Sequence, residues 1–266
     1  MYSREIWGGC SRIHWQRATP VAATFIAASL APYRFLLKAV RHEDTYLKDV
    51  QSICISNDNT GWKESSARLD AAQSKEVDRA YMFIREIGEN IIVPLLHSVE
   101  VDEQARRLVK FDQRFKDPNR LKNKVADRLR LVSGRTPIEG LAAIQDTVRF
   151  MFQYMENDYV TGIRRDMERL RDRGLIFVSL HNTWSDDQYK GINTRWREPT
   201  SGISFEVQFH TRASFTAREF THKAYERIRG EIVLVGGMEM ATLREFQRQV
   251  NAMIPIPPGA VEIGEG

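Results

Sequence analysis

A stretch of eight residues, Ser204–Thr211, restricts the possible fold of this chain more than any other stretch does. Its residues, Ser-Phe-Glu-Val-Gln-Phe-His-Thr, strictly alternate between polar and apolar types. Because successive side chains of a β-strand point to opposite faces, the alternation predicts a strand that buries three apolar side chains. The opposite face then carries Glu206, Gln208 and His210. Alternation alone favours a solvated sheet face, and the alternative is the floor of a polar cleft.

Composition narrows the classes of site that the chain can hold. Its 266 residues are 42% hydrophobic and 28% charged, which is typical of a soluble globular protein with one large domain or a smaller one with an extension. The net charge of +4 suits anionic ligands such as nucleotides or RNA. Two cysteines cannot form a disulfide framework or a cysteine-based zinc site, and glycine-rich phosphate-binding loops are absent. Any bound phosphate would therefore be held by side-chain cations.

Residues 1–65 are interpreted as an N-terminal extension or linker of uncertain structure. Arg4, Arg12 and Arg17 precede the apolar run Val21–Ala31, an arrangement that resembles a weak signal sequence. The run is too short to span a bilayer, so we expect no membrane-spanning segment. An amphipathic helix or linker is favoured over a cleaved signal.

The remaining sequence predicts an α+β domain. Alternating or continuous apolar patterns predict strands over residues 147–154, 174–180, 189–196 and 204–211, the last two forming an antiparallel hairpin. Helical spacing predicts helices from about residue 67, over residues 105–116, from Arg120, over residues 160–173 and 212–229, and from Thr242. Prolines after the last helix predict a disordered tail.

Polar residues with suitable chemistry follow one another in a definite order along these elements. Arg120 and Lys122 open a helix, Asp146 precedes a strand, and Glu206 lies on the wet face of another. Two carboxylates on neighbouring strands could share one magnesium ion, while the cations neutralise a polyphosphate. Glu206 could instead accept a proton from an attacking hydroxyl. The structural alternatives are a solvated charged helix face and a turn or capping role for Asp146.

Four segments in this order resemble the RelA/SpoT-type alarmone synthetase domain: Arg120-x-Lys122, Asp146-x-x-Arg149, Tyr189-Lys190-Gly191-Ile192-Asn193 and Phe205-Glu206-Val207-Gln208-Phe209-His210-Thr211. The likeness is greatest to the toxic small alarmone synthetases and related interbacterial effector domains. It implies a nucleotidyltransferase-like synthetase domain over residues 66–235, with a mixed β-sheet flanked by helices. A C-terminal helix and disordered tail would occupy residues 236–266.

The resemblance also implies an activity, the magnesium-dependent transfer of pyrophosphate from ATP to a ribose 3′-hydroxyl. The roles it implies are catalysis and metal binding for Asp146 and Glu206, ATP binding for Arg120, Lys122 and Arg149, and acceptor binding for Tyr189, Lys190, Asn193, Gln208 and His210. The sequence departs from the long synthetases at two places. They usually have Tyr-x-Ser-x-His where this chain has Tyr189–Asn193, and Arg where it has His210.

The sequence leaves the acceptor open among a guanine nucleotide, giving (p)ppGpp, an adenine nucleotide, giving (p)ppApp, and the 3′ end of tRNA. No hydrolase motif precedes the domain, and an unopposed synthetase would deplete ATP or accumulate product, which suits a toxin. Such a toxin would act in the cytoplasm, of a target cell if it is delivered, and would be neutralised by an antitoxin or immunity protein. The alternative is a catalytically inactive module on the same fold that binds RNA or a protein partner.

Overall fold

The computed structural model describes residues 61–64, 67–101, 106–230 and 237–264. The predicted N-terminal extension therefore lies, apart from residues 61–64, outside the described residues. No helix in the described ranges is long and apolar enough to cross a membrane. The described residues divide into two compact units, one containing those up to Ala80 together with Lys122–Ala142, the other containing those of Tyr81–Leu121 and those from Ala143 onward.

The first unit contains a small hairpin and helical segments. Strands β1 (Trp62–Glu64) and β2 (Ala67–Leu69) pair antiparallel, and helix α1 (Ala71–Ile87) begins in this unit and ends in the second. Helix α3 (Pro118–Leu131) lies in it from Lys122 onward, followed by α4 (Pro137–Ala142). Thr136 and Glu139 form a reciprocal capping box, because each backbone N–H donates to the other's side chain.

The second unit is built on a five-stranded mixed sheet, which confirms the predicted fold class. Its strands are β3 (Arg106–Leu108), β4 (Arg149–Tyr154), β5 (Ile176–Asn182), β6 (Ile192–Arg197) and β7 (Ser204–Thr211). They lie in the order β3-β4-β7-β6-β5, with β4 and β7 parallel and the other pairs antiparallel. The predicted hairpin of the last two strands is thus confirmed.

Helices accompany this sheet: α2 (Val93–Val101) after a π-helical turn at Gly88–Ile92, then α5 (Tyr159–Asp172), α6 (Arg212–Gly230) and α7 (Gly237–Ala252). One face of the sheet is the core. Phe150, Phe152, Phe205, Val207 and Phe209 are all buried there, with the Phe152 and Phe209 rings stacked at 6.1 Å. Alternation along β7 sends Glu206, Gln208 and His210 to the other face.

The predicted helix over residues 105–116 is wrong. Arg106–Leu108 is instead the edge strand β3, paired antiparallel with β4. Arg106 makes a 2.8 Å salt bridge with Asp166, and both side chains are fully buried. The Tyr154 hydroxyl donates to the same carboxylate at 2.6 Å. This long-range pairing overrides the local helical spacing, which cannot register a partner 60 residues away.

The chain after α7 is ordered through Gly264, in contrast to the predicted disordered tail. The Asn182 side chain at the end of β5 donates to the backbone carbonyls of Ala260 at 2.8 Å and Ile263 at 2.9 Å. Ala260 and Ile263 are themselves buried. Hydrogen bonds and apolar burial together fix a segment whose prolines merely stop the helix.

Candidate active site

The polar face of the sheet brings a carboxylate between two guanidinium groups. Glu206 on β7 is the register partner of Arg149 on β4 and of Arg195 on β6. Directly paired residues share one face of a sheet, so the three side chains form a row. Gln208 and His210 follow on the same face and are buried. One end of the face is therefore covered, while Glu206, Arg149 and Arg195 are half-buried. This gradient favours the polar-cleft interpretation of Ser204–Thr211 over a solvated surface.

Asp146 lies three residues before β4 and is held by a lysine that the sequence analysis did not select. Phe115 bridges Val148 antiparallel, and the backbone N–H of Lys116 donates to the carbonyl of Thr147 at 3.0 Å. This pairing places Lys116 Nζ 2.7 Å from Asp146 Oδ2. The backbone N–H of Glu206 donates to the Val148 carbonyl at 2.9 Å. Glu206 therefore pairs with the backbone only two residues after Asp146.

The two predicted catalytic carboxylates interact electrostatically. Burial raises the pKa of Glu206 above its usual value, the positive charge of Arg149 lowers it, and the negative charge of Asp146 raises it again. Glu206 therefore loses its proton less readily than an exposed glutamate does. A carboxylate with a raised pKa is a stronger base when ionised, which suits proton abstraction from a hydroxyl.

Several buried polar atoms beside Glu206 make no hydrogen bond with any described residue. They are Nε of Arg149, Nε of Arg195 and Oε1 of Gln208, whose Nε2 donates to Glu206 at 3.1 Å. Buried donors and acceptors are nearly always satisfied in folded proteins. Two unsatisfied guanidinium N–H groups on one face indicate a site for an anion.

Helix α6 adds a further cation to this face. Burial lowers the pKa of Arg218, the neighbouring charge of Arg149 lowers it further, and Tyr189, Glu219 and Glu206 raise it. Arg218 Nη1 lies 2.6 Å from Glu219, which also pairs with Lys110 at 2.6 Å. Arg149, Arg195 and Arg218 thus all interact electrostatically with Glu206, and a polyphosphate would find several cations on this face.

The predicted acceptor residues form a hydrogen-bonded group around His210. The Tyr189 hydroxyl donates to Asn193 Oδ1 at 3.1 Å and lies 3.0 Å from Nε2 of His210. Nδ1 of His210 lies 3.1 Å from the Ser214 hydroxyl. Burial, with the charges of Arg218 and Arg149, lowers the pKa of His210 to about 3. The imidazole is therefore neutral and links Tyr189 to Ser214 through its two ring nitrogens.

Other predicted residues have partners elsewhere. Lys190 Nζ donates to the carbonyl of Trp184 at 2.8 Å and to that of Asp186, so this ammonium stabilises the loop before β6. Lys122 belongs to the first unit, where it pairs with Asp78 at 2.8 Å. Arg120 is exposed, in the first turn of α3. The structure brings Asp146, Arg149, Glu206, Gln208, Tyr189, Asn193 and His210 onto one side of the sheet; the assigned roles stay predictions.

The sequence analysis did not select three of the basic residues at this site, Lys116, Arg195 and Arg218. Arg195 follows Asn193 by two residues and had a detectable signal, because both lie on the wet side of the same alternating strand. Lys116 lies just before the Asp117-Pro118 turn, and only the pairing of residues 115–116 with 147–148 reveals its role.

The donor set suits magnesium. Asp146 and Glu206 are carboxylate donors that interact electrostatically, and the unsatisfied Oε1 of Gln208 lies beside Glu206. Within the described ranges, no group of three or more His, Cys, Asp or Glu side chains could hold a metal. Magnesium commonly binds through one or two carboxylates and completes its shell with substrate phosphates and water. The residues therefore fit an ion brought in with a nucleotide.

No protein-family model and no curated protein matches the chain. Among solved structures, it is similar to small alarmone synthetase 1 from Bacillus subtilis bound to its product pppGpp, at 17% identity and a TM-score of 0.46, over 67% of this chain and 93% of that one. Small alarmone synthetase 2 from the same organism gives 11% identity and a TM-score of 0.41, over 66% and 91%. A GTP pyrophosphokinase family protein from Streptococcus pneumoniae gives 12% and 0.37, over 68% and 86%.

Proposed function

We propose that the protein is a magnesium-dependent pyrophosphokinase that transfers pyrophosphate from ATP to the ribose 3′-hydroxyl of a nucleotide or of a tRNA 3′ end. The observation that supports it most is the row Arg149–Glu206–Arg195 with Asp146 beside it. A half-buried base between two cations provides what phosphoryl-group transfer needs, namely proton removal and stabilisation of phosphate charge.

In this mechanism Glu206 is the general base. The 3′-hydroxyl oxygen of the acceptor attacks the β-phosphorus of ATP, and the bond from that phosphorus to the α–β bridging oxygen breaks. AMP leaves with the bridging oxygen, and the hydroxyl proton passes to the Glu206 carboxylate. A well-placed base contributes about 10²–10⁴-fold to such a reaction. The hydrogen bond from Gln208 to Glu206 orients the carboxylate.

The residues on the β4 side of Glu206 bind the donor. Arg149 neutralises phosphate oxygens, and Lys116 holds Asp146 in place at 2.7 Å. Asp146 would hold the magnesium ion, which when bound would neutralise charge on the ATP phosphates. Arg120 and Lys122, predicted from sequence to bind ATP, are assigned no step in this mechanism.

The acceptor is a guanine nucleotide, an adenine nucleotide or the tRNA 3′ end, and an unregulated activity of this kind would arrest growth as a toxin does. Induced expression in a bacterial host tests the toxin role, with Glu206→Gln as control. Rescue by a neighbouring gene product would identify an antitoxin or immunity protein.

The biochemical test incubates the protein with ATP, magnesium and each acceptor, and separates the products by chromatography. Glu206→Gln and Asp146→Asn should abolish the pyrophosphorylated product, whereas Glu168→Gln, an exposed glutamate on α5, should retain it. Absence of product from the wild type, or full activity in both site variants, would refute the proposed pyrophosphokinase activity. RNA binding that both site variants retain would then favour the inactive binding module.

A further inference from the structure

In the row Arg149–Glu206–Arg195, Arg195 is the residue to which the proposed function gives no role of its own. It lies on β6, directly opposite Glu206 on β7, with its Nε buried and without a hydrogen bond to any residue in the described part of the chain. Burial lowers the pKa of Arg195, and the charge of Glu206 raises it, so the two side chains interact. Arg149, on the other strand next to β7, already supplies Glu206 with one cation.

The row has two chemically different sides. On the β4 side lie Asp146 and Lys116, which suit a nucleotide polyphosphate with its metal. On the β6 side lies Asn193, which carries no charge and whose Oδ1 accepts a hydrogen bond from the Tyr189 hydroxyl. Arg195 is the one charged member of the row on that β6 side. A ligand that enters there meets a base and a guanidinium together.

We propose that Arg195 binds the 5′-phosphate of the acceptor nucleotide, so that the enzyme selects acceptors that carry a phosphate close to the reacting ribose. The inference rests on the proposed function, because it assumes that the β6 side receives the acceptor. A guanidinium presents several N–H donors in a planar fork that matches phosphate oxygens. The substrate class is then a nucleoside 5′-phosphate or the last nucleotide of an RNA, and not a free nucleoside.

The test compares wild type, Arg195→Gln and Arg197→Gln. Arg197 lies two residues along the same strand, is exposed, and is a matched control for loss of one arginine. Guanosine, GMP and GDP, and the corresponding adenine series, are titrated into each protein with the donor site filled by a non-hydrolysable ATP analogue and magnesium. KM and kcat for the same compounds, and KM for ATP, are then measured. Thermal unfolding checks that each variant folds.

We expect the 5′-phosphate to strengthen acceptor binding about tenfold or more in the wild type and in Arg197→Gln. Arg195→Gln should remove that gain, raise KM for phosphorylated acceptors and leave KM for ATP within about twofold. A gain that persists in Arg195→Gln, no gain in the wild type, or an equal fall in kcat for nucleosides and nucleotides would refute the proposal. The last outcome would make Arg195 only a counterion of Glu206.

Failure of the Arg195 phosphate site and failure of the pyrophosphokinase activity give different results. If the wild type forms a pyrophosphorylated product but Arg195→Gln keeps the phosphate-dependent gain, the Arg195 proposal alone is refuted. If the wild type forms no product but the gain exists and depends on Arg195, the proposed activity is refuted and the phosphate site stands.

Discussion

Burial of His210 without a charge should make the protein sensitive to mild acid. The imidazole is fully buried between Tyr189 and Ser214, and its pKa falls from 6.5 to about 3 on folding. The unfolded chain therefore binds a proton that the folded chain excludes. Stability from this residue is present above pH 6.5 and is lost as the pH falls towards 3.

The size of the effect follows from the two pKa values. Protonation of the unfolded state costs about 0.2 kcal/mol of folding free energy at pH 7 and about 2 kcal/mol at pH 5. His210 alone should thus lower the free energy of unfolding by about 2 kcal/mol between these pH values. That loss is a large part of the stability of an ordinary domain.

The assay is urea unfolding at pH 7 and pH 5 of wild type, His210→Gln and His181→Gln. His181 is exposed on β5, and its variant is a matched control for the loss of one histidine. His210→Gln should show a pH-dependent loss smaller by about 2 kcal/mol, because glutamine does not titrate. The comparison between variants cancels the contributions of other titrating groups. An equal loss in His210→Gln and wild type would refute the neutral, buried imidazole.

Two further sets of variants test the electrostatics of the site and of the core. Arg149→Gln should move the acidic limb of the pH profile of kcat/KM to higher pH, because the charge of Arg149 lowers the pKa of Glu206. Lys116→Gln should move it the same way by less, since its effect on Glu206 is smaller; a shift to lower pH in either variant would contradict the assignment. In the core, Asp166→Asn should cost about 3–5 kcal/mol in urea unfolding, because it leaves the buried Arg106 charge uncompensated. A cost below about 1 kcal/mol, the range of solvent-exposed ion pairs, would contradict a buried ion pair that stabilises the core.

Local periodicity predicted the strands well. Strand β7 occupies Ser204–Thr211, the range that alternation alone predicted, because the two-residue period is a property of the strand itself. The third predicted strand begins at Ile192 and not at Tyr189, since the preceding loop is held by Lys190 through backbone carbonyls. The helix predicted around Arg106 failed because its structure depends on a distant partner.

The site was predictable in its carboxylates and less so in its cations. Asp146 and Glu206 stood out by position, and the charge of one does act on the other. Lys116 and Arg195 reach these carboxylates through strand pairing, which a sequence with many basic residues does not reveal. Spacing within a helix drew attention to Lys122 instead, which the structure pairs with Asp78.

The central claim is that both terminal phosphates of ATP move together to the acceptor at Glu206. The direct measurement follows ATP labelled at the α-phosphate and, separately, at the β-phosphate, with magnesium and the best acceptor. The account predicts that the β label enters the acceptor product while the α label is released in AMP. Glu206→Gln should form neither labelled product. Release of ADP, a β label that stays with the α label, or transfer that persists in Glu206→Gln would contradict it.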